Sequence, residues 1–229
     1  MCSYNLAIEI VDHICNSIVS GNCDKPIPNE SRYSNINDTH IENSLYLNDR
    51  LFKDCIETLN FYGGTYKFFT ESQLFTDAHV LGSLMRNHVT DELILLTYNK
   101  EMYFNNTDYL STLSHEMGHI PIFRKTILGN NIYYKLSYEE KEILSELSSL
   151  ILLYSYGYIN TINDINNCYD IIISRIQNYT QNKLHLKSLT GIIANHIDFI
   201  SEHFKIKSLD SLEESILNIL PVRIDTRSK

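Results

Sequence analysis

His115, Glu116 and His119 form the pattern HExxH inside the stretch Leu113-Ser114-His115-Glu116-Met117-Gly118-His119-Ile120. On a helix, residues four apart lie about 40° from one another around the axis, so the two imidazoles leave one face and can meet at one point. Two imidazole nitrogens at such a point suit a zinc ion. Glu116 falls on the flank of the same face, where its carboxylate can take a proton from a water whose pKa zinc has lowered to about 7. The spacing therefore encodes a catalyst and more than a structural clasp, and Zn2+ is the cofactor to expect.

The flanking residues favour the helix that this chemistry requires. Thr107-Asp108 offers an N-cap with acidic character in the first turn, Leu110, Leu113 and Met117 recur at helical spacing, and Pro121 follows just after the second histidine. Downstream, Ser137-Tyr138-Glu139-Glu140 has the form of a capping box, opening a helix that runs to about Tyr156 before Gly157. Glu139, Glu142 and Glu146 fall at i, i+3 and i+7 along one face of it. A row of solvated acids is the ordinary explanation for such a series. Glu146, however, is embedded among Leu144, Leu147, Leu150 and Ile151, where an unpaired carboxylate is costly to bury. A zinc ion would be its partner. Spacing alone leaves Glu139, Glu140, Glu142 and Glu146 open as the third ligand; burial selects Glu146. Glu142 is then expected to orient a ligand histidine through its other ring nitrogen.

The string Tyr138-Glu139-Glu140-Lys141-Glu142-Ile143-Leu144-Ser145-Glu146-Leu147 resembles the YAxEELVAEL segment that follows the HExxH helix in the zincin-like metallopeptidase domain of ArdC-type antirestriction proteins. The similarity extends to Asp91-Glu92-Leu93, Phe104, Thr112-Leu113-Ser114-His115-Glu116, Ala194 and Asp198-Phe199-Ile200, and covers about residues 50 to 200. ImmA-type peptidases, which cleave phage repressors, share an HExxH followed by a glutamate helix. The resemblance implies a gluzincin-like site, with His115, His119 and Glu146 as metal ligands and Glu116 as general base. It also implies a protein substrate such as a host defence or regulatory protein, in the setting of a mobile element or phage. Motif position favours Tyr138 as the oxyanion-stabilising donor, ahead of His185, His196, His203, Tyr169 and Tyr179 in the later helices. The chain departs from the family pattern at Ile120, where an aromatic is usual, at Ser145, where alanine is usual, and in having no tryptophan. The single-stranded-DNA-binding domain expected ahead of an ArdC peptidase has no counterpart beyond residues 1–45, where only Arg32-Tyr33-Ser34-Asn35-Ile36-Asn37 resembles it. A rival reading from another class is an antirestriction protein that keeps the fold and works by occupying a defence protein without hydrolysis. An intact Glu116 favours the enzyme.

A chain of 229 residues, 43% hydrophobic, can bury the core of one large or two small domains. Its net charge of −9, from 19 basic and 28 acidic residues, argues against general nucleic-acid binding, for which only Lys183, His185 and Lys187 speak. The five cysteines, at 2, 15, 23, 55 and 168, are scattered and form no CxxC, so neither a disulfide framework nor a cysteine zinc site is expected. With no signal-peptide pattern and no apolar run of about 18 residues, the expected place is the cytoplasm, away from membranes.

The elements that must position the site follow from periodicity. Residues 4–19 read as an amphipathic helix on Leu6, Ile10, Val11, Ile14 and Ile18, with His13 as a surface or boundary residue, and residues 22–43 as a polar loop around Pro26-Ile27-Pro28-Asn29. This divides the chain into an N-terminal helix-and-loop extension, 1–45, and a metallopeptidase domain, 46–229. Residues 48–61 read as a helix ending at Gly63-Gly64, and 65–70 and 92–98 as strands separated by a segment whose His79 and His88 are loop residues. Strand 92–98 is either an open edge that can pair with an extended peptide or a strand buried on both faces. Helices are expected at 162–182, 188–203 and 211–220. The fold class is thus α+β, zincin-like, with a small sheet and a predominantly helical remainder.

Overall fold

Short-range chemistry sets where the elements begin and end. The computed structural model describes residues 2–19, 49–69, 82–98, 106–123, 135–158, 187–204 and 206. In chain order these form α1 (Cys2–Val19), α2 (Arg50–Phe61), β1 (Gly64–Phe69), β2 (Gly82–Arg86), β3 (Leu93–Tyr98), α3 (Asn106–Met117), α4 (Ile120–Phe123), α5 (Tyr138–Ser155) and α6 (Thr190–His203). The result is a mixed α+β arrangement, one three-stranded sheet with helices for the rest. Asp49 caps α2 by accepting from the Phe52 amide at 3.0 Å, and Gly63, at φ 69°, turns the chain out of the helix. A Cβ on Gly64 would lie 2.4 Å from Leu59 Cδ1, so only glycine lets β1 start this close to α2.

The sheet order is β1-β3-β2, with β1 parallel to β3 and β2 antiparallel to it. Leu93-Ile94-Leu95-Leu96 therefore occupies the central strand, with Leu93, Leu95 and Leu96 buried, as a continuous apolar run suits. The open-edge reading of residues 92–98 is thus corrected. Among the described strands the edge beside α3 is β2, which sequence reasoning missed because Gly82-Ser83-Leu84-Met85-Arg86 contains no β-branched residue. Its signal lay in the turn that follows. Asn87 Oδ1 accepts from the Val89 and Thr90 amides, Asp91 adopts φ 61°, and Arg86 pairs with Asp91 across the turn.

Helix α1 packs on α6, and its Leu6, Ala7, Ile10, Val11 and Cys15 join the same core as α2, α3 and α5. Helix α5 begins on the expected capping box, Ser137 Oγ accepting from the Glu140 amide and Glu140 Oε2 from the Ser137 amide, and ends before Gly157 at φ 80°. The seam between α3 and α5 is lined by small residues. A Cβ on Gly118 would lie 2.6 Å from Ser148 Oγ and 2.7 Å from Ser145 Cα, while Ser149 Oγ donates to the Ser111 carbonyl at 2.8 Å. This close approach lets carboxylates on α5 reach His115 at the end of α3 and His119 just beyond it. The expected helices at 162–182 and 211–220, the loop at 22–43, Arg32–Asn37, His79, Tyr169, Tyr179, Lys183 and His185 lie outside the described residues, as do the side chains of His13, Thr107, Asp108 and Glu139. Among the described residues no helix is long and apolar enough to cross a membrane.

Candidate metal centre

The HExxH pattern straddles the end of α3 instead of lying within it. After Met117 the backbone tightens, with the Gly118 amide on the His115 carbonyl at 3.0 Å and the His119 amide on the Glu116 carbonyl at 3.1 Å. Pro121 then sits in the first turn of α4, where a missing N–H is tolerated. The two imidazoles still meet, their ring centroids 5.1 Å apart.

One carboxylate lies between them. Glu142 Oε2 is 3.2 Å from His115 Nε2, and Glu142 Oε1 is 3.5 Å from His119 Nε2. One donor atom from each of these three residues lies within 4.8 Å of the others, and together they could hold a metal ion. Glu146 stands elsewhere. Its Oε1 is 3.0 Å from His115 Nδ1, on the far side of that ring, and the residue is only 2% exposed. The contact is an ion pair off the N–H axis and not an aligned hydrogen bond.

Glu146 was expected among the metal ligands and Glu142 beside the outer nitrogen of a histidine; the structure puts Glu142 near both Nε2 atoms and Glu146 near His115 Nδ1. Four residues along α5 amount to a rise of about 6 Å, which carries Glu146 past the Nε2 atoms and behind His115, into the seam. Burial did require a partner for the Glu146 carboxylate, but an imidazole meets that requirement as well as a cation does.

The charges are strongly coupled. Burial alone would lower the His115 pKa, yet the carboxylates of Glu146, Glu142 and Glu116 outweigh it and lift the pKa to about 10. Burial, reinforced by the charge on His115, drives His119 down to about 3. For Glu142, burial raises the pKa, but the hydrogen bond and charge of His115 outweigh it and leave the carboxyl below its ordinary range. A divalent cation bound here would compete with the His115 proton for the same carboxylates.

Glu116 is fixed from the sheet side. Its Oε2 accepts the Leu84 amide at 2.8 Å in a buried bond. The Asn87 amide bonds the Glu92 carbonyl directly opposite, so by antiparallel alternation Leu84 belongs to a non-bonded pair and its N–H points off the sheet edge toward α3. Gly82 makes the approach possible, since a Cβ there would lie 2.7 Å from Thr112 Cγ2. Tyr138 opens α5 one turn before Glu142 and is 67% exposed.

Ser145 was read only as a departure from the resembled segment, and the structure gives it a position at the site. Its Oγ is 3.1 Å from His119 Nδ1 and donates to the Lys141 carbonyl at 3.1 Å. The available signal was a serine one turn after Glu142 on the same helix. His196 and His203, weighed as oxyanion donors, serve helix packing: His196 is buried with Nε2 2.6 Å from Ser148 Oγ, and His203 lies between Tyr62 and the Phe199 carbonyl. Comparison with protein-family models, curated proteins and solved structures finds no match for this chain.

Proposed function

We propose that the chain is a zinc-dependent metallopeptidase, hydrolysing a peptide bond in a protein substrate, with His115, His119 and Glu142 as metal ligands. The observation that carries this reading is the convergence of two histidine Nε2 atoms on one carboxylate, with Glu116 next along the chain and held by an edge amide. Two imidazole nitrogens and one carboxylate oxygen are a donor set of catalytic zinc sites. Zinc bound there would lower the pKa of a water and polarise the scissile carbonyl.

The chain's own residues supply the rest. Glu116 accepts the proton of the attacking water at its carboxylate and delivers it to the amine nitrogen as the C–N bond breaks. The Leu84 amide holds that carboxylate in place, and Glu146 orients His115 from behind. Tyr138 is assigned the oxyanion-stabilising role on its motif position. The resemblance to ArdC-type and ImmA-type proteins supports a zincin-like fold and a substrate among host defence or regulatory proteins. Replacing Glu116 by Gln tests the reading: zinc content and fold should persist while hydrolysis and the biological effect disappear. A full biological effect in Glu116→Gln would select the non-hydrolytic binding protein instead.

A further inference from the structure

We propose that Ser145 is a positioning residue that holds His119 in its Nδ1–H tautomer, so that Nε2, the nitrogen beside Glu142, presents a lone pair. The argument starts from one hydrogen. Ser145 Oγ lies 3.1 Å from the Lys141 carbonyl oxygen, which can only accept, and we place the hydroxyl hydrogen there, as a helical serine bonding back to the carbonyl four residues earlier does. Toward His119 Nδ1, also at 3.1 Å, the hydroxyl then offers only lone pairs, and the bond requires an N–H on Nδ1. A neutral imidazole carries one N–H, which leaves Nε2 bare.

Nε2 is the atom 3.5 Å from Glu142 Oε1, a separation beyond a hydrogen bond. Two acceptors therefore face one another, and a cation is what such a pair accommodates. The inference rests on the metal-centre reading for its purpose, while the tautomer rests on where the Ser145 hydroxyl hydrogen goes. The same device occurs one turn on, where Ser148 Oγ donates to the Leu144 carbonyl and meets His196 Nε2 at 2.6 Å. That pair involves His196, which is not among the metal ligands proposed above, and makes an internal control.

In the full-length, metal-free chain, long-range proton–nitrogen correlation spectra should show His119 protonated at Nδ1. In Ser145→Ala the signal should move toward the Nε2–H form, which can then donate to Glu142. Chelator competition should find zinc bound about 10- to 100-fold more weakly by Ser145→Ala, still at one ion per chain when saturated. Ser148→Ala, which removes an equally buried hydroxyl, should bind zinc as the wild type does. A wild-type His119 protonated at Nε2, or unchanged zinc affinity in Ser145→Ala, would overturn the proposal. If the wild type takes up no zinc while His119 keeps its Nδ1 proton, the metallopeptidase reading fails and the tautomer assignment stands.

Discussion

The two ends of the α3–α5 seam use the same residue types to different effect. At the inner end Ser149 bonds the Ser111 carbonyl, Ser148 bonds the Leu144 carbonyl and meets His196, and burial holds His196 neutral with its pKa pushed down to about 4. Donors there meet acceptors, and the polar groups close on one another. At the outer end Glu116, Glu142 and Glu146 gather around two histidines, and the excess of carboxylate lifts His115 to about 10. Buried polarity alone therefore does not mark a site. What distinguishes the outer end is a set of acceptors that only a proton or a cation can satisfy.

The strongest way to break this comparison is to remove the two glutamates separately. Glu142→Ala should abolish stoichiometric zinc binding, whereas Glu146→Ala should weaken affinity about 10- to 100-fold and leave the site filled at high zinc, as for partners that orient ligands. Metal analysis with chelator titration separates the two. Equal loss in both variants, or greater loss in Glu146→Ala, would restore the assignment read from burial in the sequence.

The seam itself comes next. Gly118→Ala places a methyl group 2.7 Å from Ser145 Cα, which must push α5 away and cost about 1–3 kcal/mol by overpacking. Denaturant unfolding measures the loss. Zinc affinity should fall with it, because the donors on α3 and α5 separate.

A smaller effect concerns pH. His115 has a folded pKa raised from 6.5 to about 10, so the folded state holds its proton more tightly than the unfolded state does. In metal-free protein that stabilisation is fully present below about pH 6.5 and is lost as pH rises toward 10. Zinc runs the other way, displacing the proton, so its apparent affinity should fall as pH decreases through the same window. Unfolding midpoints of the metal-free chain between pH 6.5 and 10 check the first, and proton release on zinc addition checks the second. Glu146→Gln should flatten both.

These contrasts also separate what was legible in the residues from what was not. The capping box at Ser137 and Glu140, the stop at Gly157 and the burial of Leu93, Leu95 and Leu96 follow rules that act within a few residues, and the first two formed as expected. The tightened turn at Gly118 and His119 was hidden because HExxH spacing survives the change from helix to turn. Strand β2 was hidden because its pairing partner, not its own composition, makes it a strand. Which glutamate faces the Nε2 atoms depends on how far α5 has risen where it crosses α3, a relation between two helices that periodicity along one of them cannot contain. Ser145 is legible only once Lys141 and His119 are both in place around it.

The most direct test of the account is the metal content of the purified full-length chain. Wild type should carry about one zinc per chain, held by three protein ligands, and the His115→Ala, His119→Ala double variant should carry none while remaining folded. Stoichiometric zinc in that double variant would contradict the proposed metal centre.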